Sequence, residues 1–464
     1  MTTRTIASVA LLATGIAFAQ DGFVPKQFHL TVPIARGGEA VASIVGGEGQ
    51  ADLAQAVQRA VREASGVELP IIAPDEAGED AWVEGRSFIV LGKLGDNSVV
   101  DDLYINHYIG ADARYPGDAG YEFRTVHDPW GHGGSAVFLG GSDDAGVQRA
   151  LDRFTEALPD GPDVVIPHTV DVAGSNVPAP VAEVDVEALR EQLAGQNFRA
   201  VGDRASAGCL NYHRSGDRQQ AIIAREALYR LAEIVAEMPV VGDSRGVVYL
   251  PLLFDLVEES DAWSDADRSE LSRFLYAFGT KLRYLQQPIE PSPVPRGNNW
   301  NIRTAWEATR YFAKYYGIDI NGRAEQNLTT YFGSNMTWKS REDCPGYGSM
   351  TVIDNLYYVL ERPDFAAYFD SGIARKMADY QMTVTDNRGS LAGFGDYSAI
   401  DGNGHFPDPM SVLAWYYRDG RYVWMRRKMY QGSHGGEFLG QAFRIADIAP
   451  VEPTDLLGVH VLPL

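Results

Sequence analysis

The sequence predicts a multidomain α/β plus all-α protein: a small N-terminal α/β domain, then an (α/α) toroid of helical hairpins. Three observations predict it. Up to about Val172, short apolar runs closed by glycine alternate with segments of helical period. A stretch containing Gly174, Pro178 and Pro180 follows at residues 173–182 and reads as a linker. Beyond it the hydrophobic period becomes 3.6 and strands nearly vanish. The chain has 464 residues, and a single core rarely grows past roughly 250–300, so more than one domain is expected.

Residues 1–19 read as a secretory signal peptide. Arg4 supplies the basic start, residues 6–18 form a mostly apolar run, and Ala17-Phe18-Ala19 is a small-x-small cleavage pattern. The alternative is a buried N-terminal helix. The run is shorter than the ~20 residues a bilayer span needs, and no later segment is apolar enough. A secreted or periplasmic protein without an integral membrane segment is expected. The formal net charge of −22 argues against a nucleic-acid partner, which needs a basic face. Two cysteines, Cys209 and Cys344, exclude a disulfide-stapled scaffold and a cysteine zinc site, and leave one possible pairing open.

The first domain is expected over residues 24–172. Residues 28–33 alternate as a strand, and 41–45 form a second apolar run closed by Gly46-Gly47. Leu53, Ala56, Val57, Ala60 and Val61 recur at helical spacing across 51–66. Residues 69–72 and 88–91 read as short strands, 121–126 alternates, and 136–139 is a buried-type strand ending in Gly140-Gly141. Residues 145–158 read as an amphipathic helix. Gly140-Gly141-Ser142 before that helix suits either an anion or an ordinary strand-to-helix turn. His127, Asp128 and His132 beside Trp130 suit a metal or ligand loop, or a hairpin with incidental polar residues.

The second domain, residues 183–464, reads as helices near 184–196, 217–238, 247–259, 264–286, 300–316, 322–338, 349–361, 364–384, 409–418 and 421–430. Short connections make hairpins, and this many helices suits a toroid or an open solenoid; no fixed-period repeat is present.

Three polar constellations stand in the helical region. The first is Arg296-Gly297-Asn298-Asn299-Trp300-Asn301 with Arg303, at a helix start after a proline-rich loop. Amides there can bind a carboxylate or can simply cap the helix. The second is Arg341-Glu342-Asp343-Cys344-Pro345-Gly346-Tyr347-Gly348, an interhelical loop that presents Tyr347 as an acid or base, or buries it. The third is Gly393-Phe394-Gly395-Asp396-Tyr397 followed by His405, with His405 a natural base and Asp396 its orienter. Asp401, Asn403 and Asp408 also suit a calcium loop, although their spacing fails the EF-hand pattern. Tyr212-His213-Arg214 is a fourth cluster, read as polar surface. Trp300, Trp306, Trp338, Trp415 and Trp424 supply rings that stack on sugars or pack helices.

Gly66-Val67-Glu68-Leu69-Pro70-Ile71, together with residues 137–143 and Gly146-Val147, resembles the accessory α/β domain that precedes catalytic domains in many carbohydrate-active enzymes. That resemblance implies a non-catalytic role for residues 24–172. Asn298-Asn299-Trp300-Asn301, the 342–348 loop, and Gly395-Asp396-Tyr397 with His405 resemble the α/α-toroid part of heparinase- and alginate-lyase-type polysaccharide lyases, over about residues 185–450.

The second resemblance implies cleavage of uronic-acid-containing glycans by β-elimination. Asn299 would neutralise the uronate carboxylate, His405 would serve as base or neutraliser, and Tyr347 as base, acid or both. Arg296, Asn298, Trp300, Arg303, Arg341, Tyr212, His213 and Asp396 would bind the anionic polysaccharide. The Asn-His pairing many of those enzymes show is not found in this sequence, and no C-terminal β-sandwich is expected. No cofactor and no catalytic metal are implied; a structural divalent cation stays open. Two other readings stand beside it. One is an inverting glycoside hydrolase using two of Glu307, Glu342, Asp343 and Asp396 at roughly 6.5–9.5 Å. The other is a non-catalytic glycan-binding protein.

Overall fold

A computed structural model describes residues 26–28, 30–47, 49–283, 299–335, 355–362, 364–385, 407–429, 443, 445 and 447–454. The fold is mixed α/β. All named strands lie between Thr31 and Ala173, and from Val186 onward the named elements are helices. Residues 174–185 carry neither. Among the described residues the chain forms two compact units. One draws on Met1–Leu30, Pro178–Ile289 and Trp300–Leu328, the other on Thr31–Val177, Glu290–Asn299 and Thr329–Leu464.

The second unit contains the sheets. β1 (Thr31–Arg36), β2 (Glu39–Ala40), β3 (Ala42–Val45), β4 (Ile71–Ile72), β5 (Ser87–Gly92), β6 (Tyr121–His127), β7 (Ser135–Gly141), β8 (Val164–Pro167) and β9 (Val170–Ala173) form two sheets, ordered β2-β1-β8 and β4-β3-β5-β7-β6-β9. The apolar runs around Ile44, Ile89 and Val137 are the parallel centre: Ile44 lies opposite Ile89, and Ile89 opposite Val137. Strands covered on both faces are continuously apolar, which is why these runs stood out in the sequence. β6 runs antiparallel to both β7 and β9. Val57 and Val61 of α1 (Ala51–Ser65), Phe154 of α3 (Asp144–Ala157), and Val32 and Ile166 join the same core. Between α1 and α3 lies α2 (Ser98–Ile105), capped by Asn97; at eight residues it is too short for a helical period to stand out in the sequence.

The turn at Gly140-Gly141-Ser142 holds no open helix end. Asp143 caps α3, accepting from Gly146 N at 2.8 Å and Ala119 N at 2.8 Å. The His127 loop is likewise tied internally. Trp130 packs edge-on against Trp82 and Tyr108, Asp128 accepts from Gly133 N, and His127 Nε2 lies 3.1 Å from His168 Nδ1. Among the described residues no group of three His, Cys, Asp or Glu side chains is placed to hold a metal ion.

In the first unit, α4 (Val186–Ala194), α5 (Phe198–Ser215), α6 (Arg218–Glu237), α7 (Leu250–Asp255), α8 (Asp265–Thr280) and α9 (Asn299–Tyr316, from Trp300 on) are apolar on their packed faces. Asp185, Asn197, Asp217 and Ser264 cap four of them. α8 ends earlier than the sequence suggests, because Val241 N donates to Lys281 O and Arg283 N to Val241 O. α5 has no counterpart among the sequence expectations. Its glycines and serines lower helix propensity, yet at Gly208 the backbone of α6 packs close: a Cβ there would lie 2.9 Å from Ala224 N. Tyr212 and His213, read as polar surface, are buried in the last turn of α5.

The second unit also holds α10 (Ala324–Asn335, from Thr329 on), a helical segment at 355–360, α11 (Phe365–Asp370), α12 (Ile373–Thr383), α13 (Pro407–Tyr417) and α14 (Gly420–Lys428). The single helix expected at 364–384 is two, broken at Gly372 with φ 77°. Phe332 stacks on Tyr358 at 4.0 Å, and Phe369 on Tyr416 at 4.3 Å. Phe443 meets Tyr104 edge-on, and buried His107 lies 3.7 Å from Glu361. These contacts tie later residues to the α/β region within this unit. Among the described residues no helix is long and apolar enough to cross a membrane.

Candidate functional site

Among the described residues of the first unit, two polar constellations are built on α9. At its start, Asn301 reaches the 242–246 loop. Its Oδ1 accepts from Ser244 N and Ser244 Oγ, both at 2.7 Å, and its Nδ2 donates to Gly242 O at 3.2 Å. Thr304 Oγ1 donates to Ser244 Oγ at 2.9 Å. This clamp fixes the loop that carries Arg245. The Arg245 guanidinium lies 5.6 Å over the half-buried Trp300 ring, within cation–π range. Asp243 holds Arg245 from the side through both carboxylate oxygens, and the arginine side chain remains 48% exposed. The result is an indole face with a positioned, solvent-facing cation beside it.

One turn on, Arg303 is fully buried and Glu307 nearly so. Glu307 pairs with Arg303 at 2.5 Å and Arg310 at 3.3 Å, and the Arg303 guanidinium lies 5.5 Å over the Tyr249 ring. At this end of α9, Trp300 is half-buried and Arg245 half-exposed, whereas Arg303 and Glu307 are buried. Tyr212 and His213 are buried as well. Arg296, Asn298, Arg341, Glu342, Asp343, Tyr347, Asp396 and His405, the calcium candidates Asp401 and Asn403, and the side chains of Asn299 and Asp408 lie outside the described residues.

The second constellation was not anticipated from the sequence. Asp255, Glu258 and Glu259 surround Lys26 Nζ: Asp255 at 3.3 Å, Glu259 at 3.7 Å, and Glu258 in direct contact. Tyr311 OH donates to Glu258 Oε2 at 2.8 Å, and Lys314 Nζ to Asp255 Oδ2 at 2.8 Å. All these acids are buried. Burial alone disfavours the Lys26 ammonium, but Glu258, Asp255 and Glu259 outweigh it and lift the lysine above its ordinary range. Burial also opposes ionisation of Asp255, yet Lys314 and Lys26 together bring it down to about 2. At Glu259 burial wins over Lys26 and pushes the carboxyl up to about 7. The available sequence signal was spacing: acids at 255, 258 and 259 stand at i, i+3 and i+4 after the apolar 250–254 run, although α7 ends at Asp255 and the other two lie in the turn beyond it.

These shifts give a pH dependence. An acid raised in the folded state keeps its proton longer when folded, so stability falls as pH rises from its unfolded value near ~4.3 toward 7. Asp255 acts oppositely: its contribution is present above ~3.9 and is lost as pH falls toward 2. Urea unfolding at about pH 4.5 and 7 is expected to show Glu259→Gln with a flatter stability profile than the parent chain; an unchanged slope counts against the assignment.

Cys209 is a free, fully buried thiol, and burial pushes its pKa up to about 12. In a Cys344→Ser background, a thiol reagent at about pH 8 is expected to leave the folded protein unmodified and to label it once denatured.

No protein-family model matches the chain, and no curated protein matches it either.

Proposed function

We propose that the protein is a secreted polysaccharide lyase that cleaves uronic-acid-containing glycans by β-elimination, with its helical region closing as an (α/α) toroid. The observation that carries this reading is the Trp300–Arg245 platform at the head of α9. An indole face stacks on a sugar ring, and a fixed guanidinium beside it suits the ring's carboxylate. Asn298 and Asn299 directly precede that tryptophan in the chain.

In this chemistry Asn299 hydrogen-bonds the uronate carboxylate and stabilises the charge that develops as the C5 proton leaves. Tyr347 or His405 takes that proton. The C5–H electrons form the C4–C5 double bond, the C4–O bond breaks, and Tyr347 protonates the departing oxygen. No step calls for a cofactor. The overall acidic charge is no barrier, since a local cation governs binding at short range.

The test is ultraviolet absorbance of purified mature protein mixed with a panel of polyuronates. The expected result is a rising band from an unsaturated uronate. New reducing ends without that band would replace elimination by hydrolysis. Binding without either product would support the glycan-binding alternative.

A further inference from the structure

Lys26 belongs to a short segment, residues 26–28 and 30, that has neither helix nor strand. Its side chain is nonetheless only 7% exposed. Three acids face the ammonium, as described above, and aromatic rings wall it: Tyr315 at 3.5 Å, and Tyr311 and Phe28 at 5.5 Å. The Lys26 backbone N donates to Tyr316 OH at 3.3 Å. The other nearby cations are already engaged. Lys314 takes the second oxygen of Asp255, and Arg268 donates to the carbonyls of Glu258 and Ser260.

Carboxylates on one side of an ammonium and aromatic faces on the other make up the chemistry of an ammonium receptor. Among the described residues, the walls of that receptor come from residues 255–259 and 311–316, together with Phe28 on the segment itself. The occupant arrives from more than two hundred residues away in sequence. The segment makes no strand pairing of its own, so the lysine is its anchor. Nothing in the Trp300–Arg245 platform requires this pocket.

We propose that the Asp255/Glu258/Glu259 pocket, walled by Tyr311 and Tyr315, is a primary-ammonium binding site that Lys26 occupies in cis, so that the N-terminal segment docks as a tethered ligand. A free primary alkylammonium takes the same seat once the lysine side chain is removed.

The test is thermal unfolding of Lys26→Ala with n-butylammonium chloride, sodium chloride or tetramethylammonium chloride at equal ionic strength. The variant is expected to melt about 10 °C below the parent, since a buried acid cluster has lost its main counter-charge. n-Butylammonium is expected to restore at least about half of that loss saturably, as mass action requires of a ligand that binds only the folded state. It should leave the parent chain unmoved. Equal recovery with sodium or tetramethylammonium, or no recovery in a folded variant, overturns the proposal. If Lys26→Ala does not fold, reductive methylation of the parent chain decides. Lys26 should stay unmodified while exposed Lys376 and Lys428 react; modification of Lys26 at their rate overturns it.

Discussion

On the proposed elimination chemistry, Tyr347→Phe is expected to slow formation of the unsaturated product by about 10²–10⁴-fold, the usual contribution of a positioned proton-transfer group. The change removes one hydroxyl and leaves the ring. Loss should therefore fall on kcat, with KM for the polyuronate little changed, because the ring and the Trp300–Arg245 platform still bind sugar. An equal fall in kcat and kcat/KM is the signature of a group that acts only in the transition state. If Tyr347 supplies the proton to the leaving oxygen, substrates with a better leaving group should be less affected by the substitution. Unchanged kcat removes Tyr347 from the chemistry and leaves His405→Asn as the next variant. Melting temperatures measured alongside separate a lost proton donor from a misfolded chain.

How much of this was legible in the sequence depended on which signal each element carried. The parallel strands were clear, because burial on both faces of Ile44, Ile89 and Val137 makes their runs uniformly apolar. α1, α3, α6 and α9 were clear because one face of each is apolar at helical spacing. α5 was not: its buried face mixes the small residues Gly202, Ala205 and Gly208 with Tyr212 and His213, and small residues where backbones approach closely leave only a weak apolar period to announce it. The break at Gly372 was hidden inside a pattern that stays helical on both sides. Asn301 was noticed as one amide among three, but the sequence carried no sign that it would clamp Ser244, fifty-seven positions away. The Lys26 cluster was the hardest to foresee. Its acids sit at ordinary helical spacing and its cation lies in an unstructured-looking segment, so only the tertiary fold brings them together. Charge pairing at long range leaves no periodic trace.

Glu307 separates the two enzymatic readings. As a hydrolytic carboxylate it would need to face a sugar and exchange a proton with it, and Glu307→Gln would then cost about 10²–10⁴-fold in turnover. The structure gives it other partners. Glu307 is buried on α9 between Arg303, four residues before it, and Arg310, three residues after it. Arg303 is wholly buried, and a buried guanidinium that loses a carboxylate partner keeps its desolvation cost without the matching attraction. Glu307→Gln is therefore expected to lower stability by about 3 kcal/mol, read from denaturant unfolding. Turnover per folded molecule should stay within about threefold, because a lost structural pair leaves transition-state contacts in place. The opposite pattern, with stability retained and turnover lost, would transfer the chemistry to the carboxylates and make the protein a hydrolase. The two readings thus predict opposite effects of one isosteric change on two independent measurements, and the answer does not depend on knowing which glycan is the natural substrate.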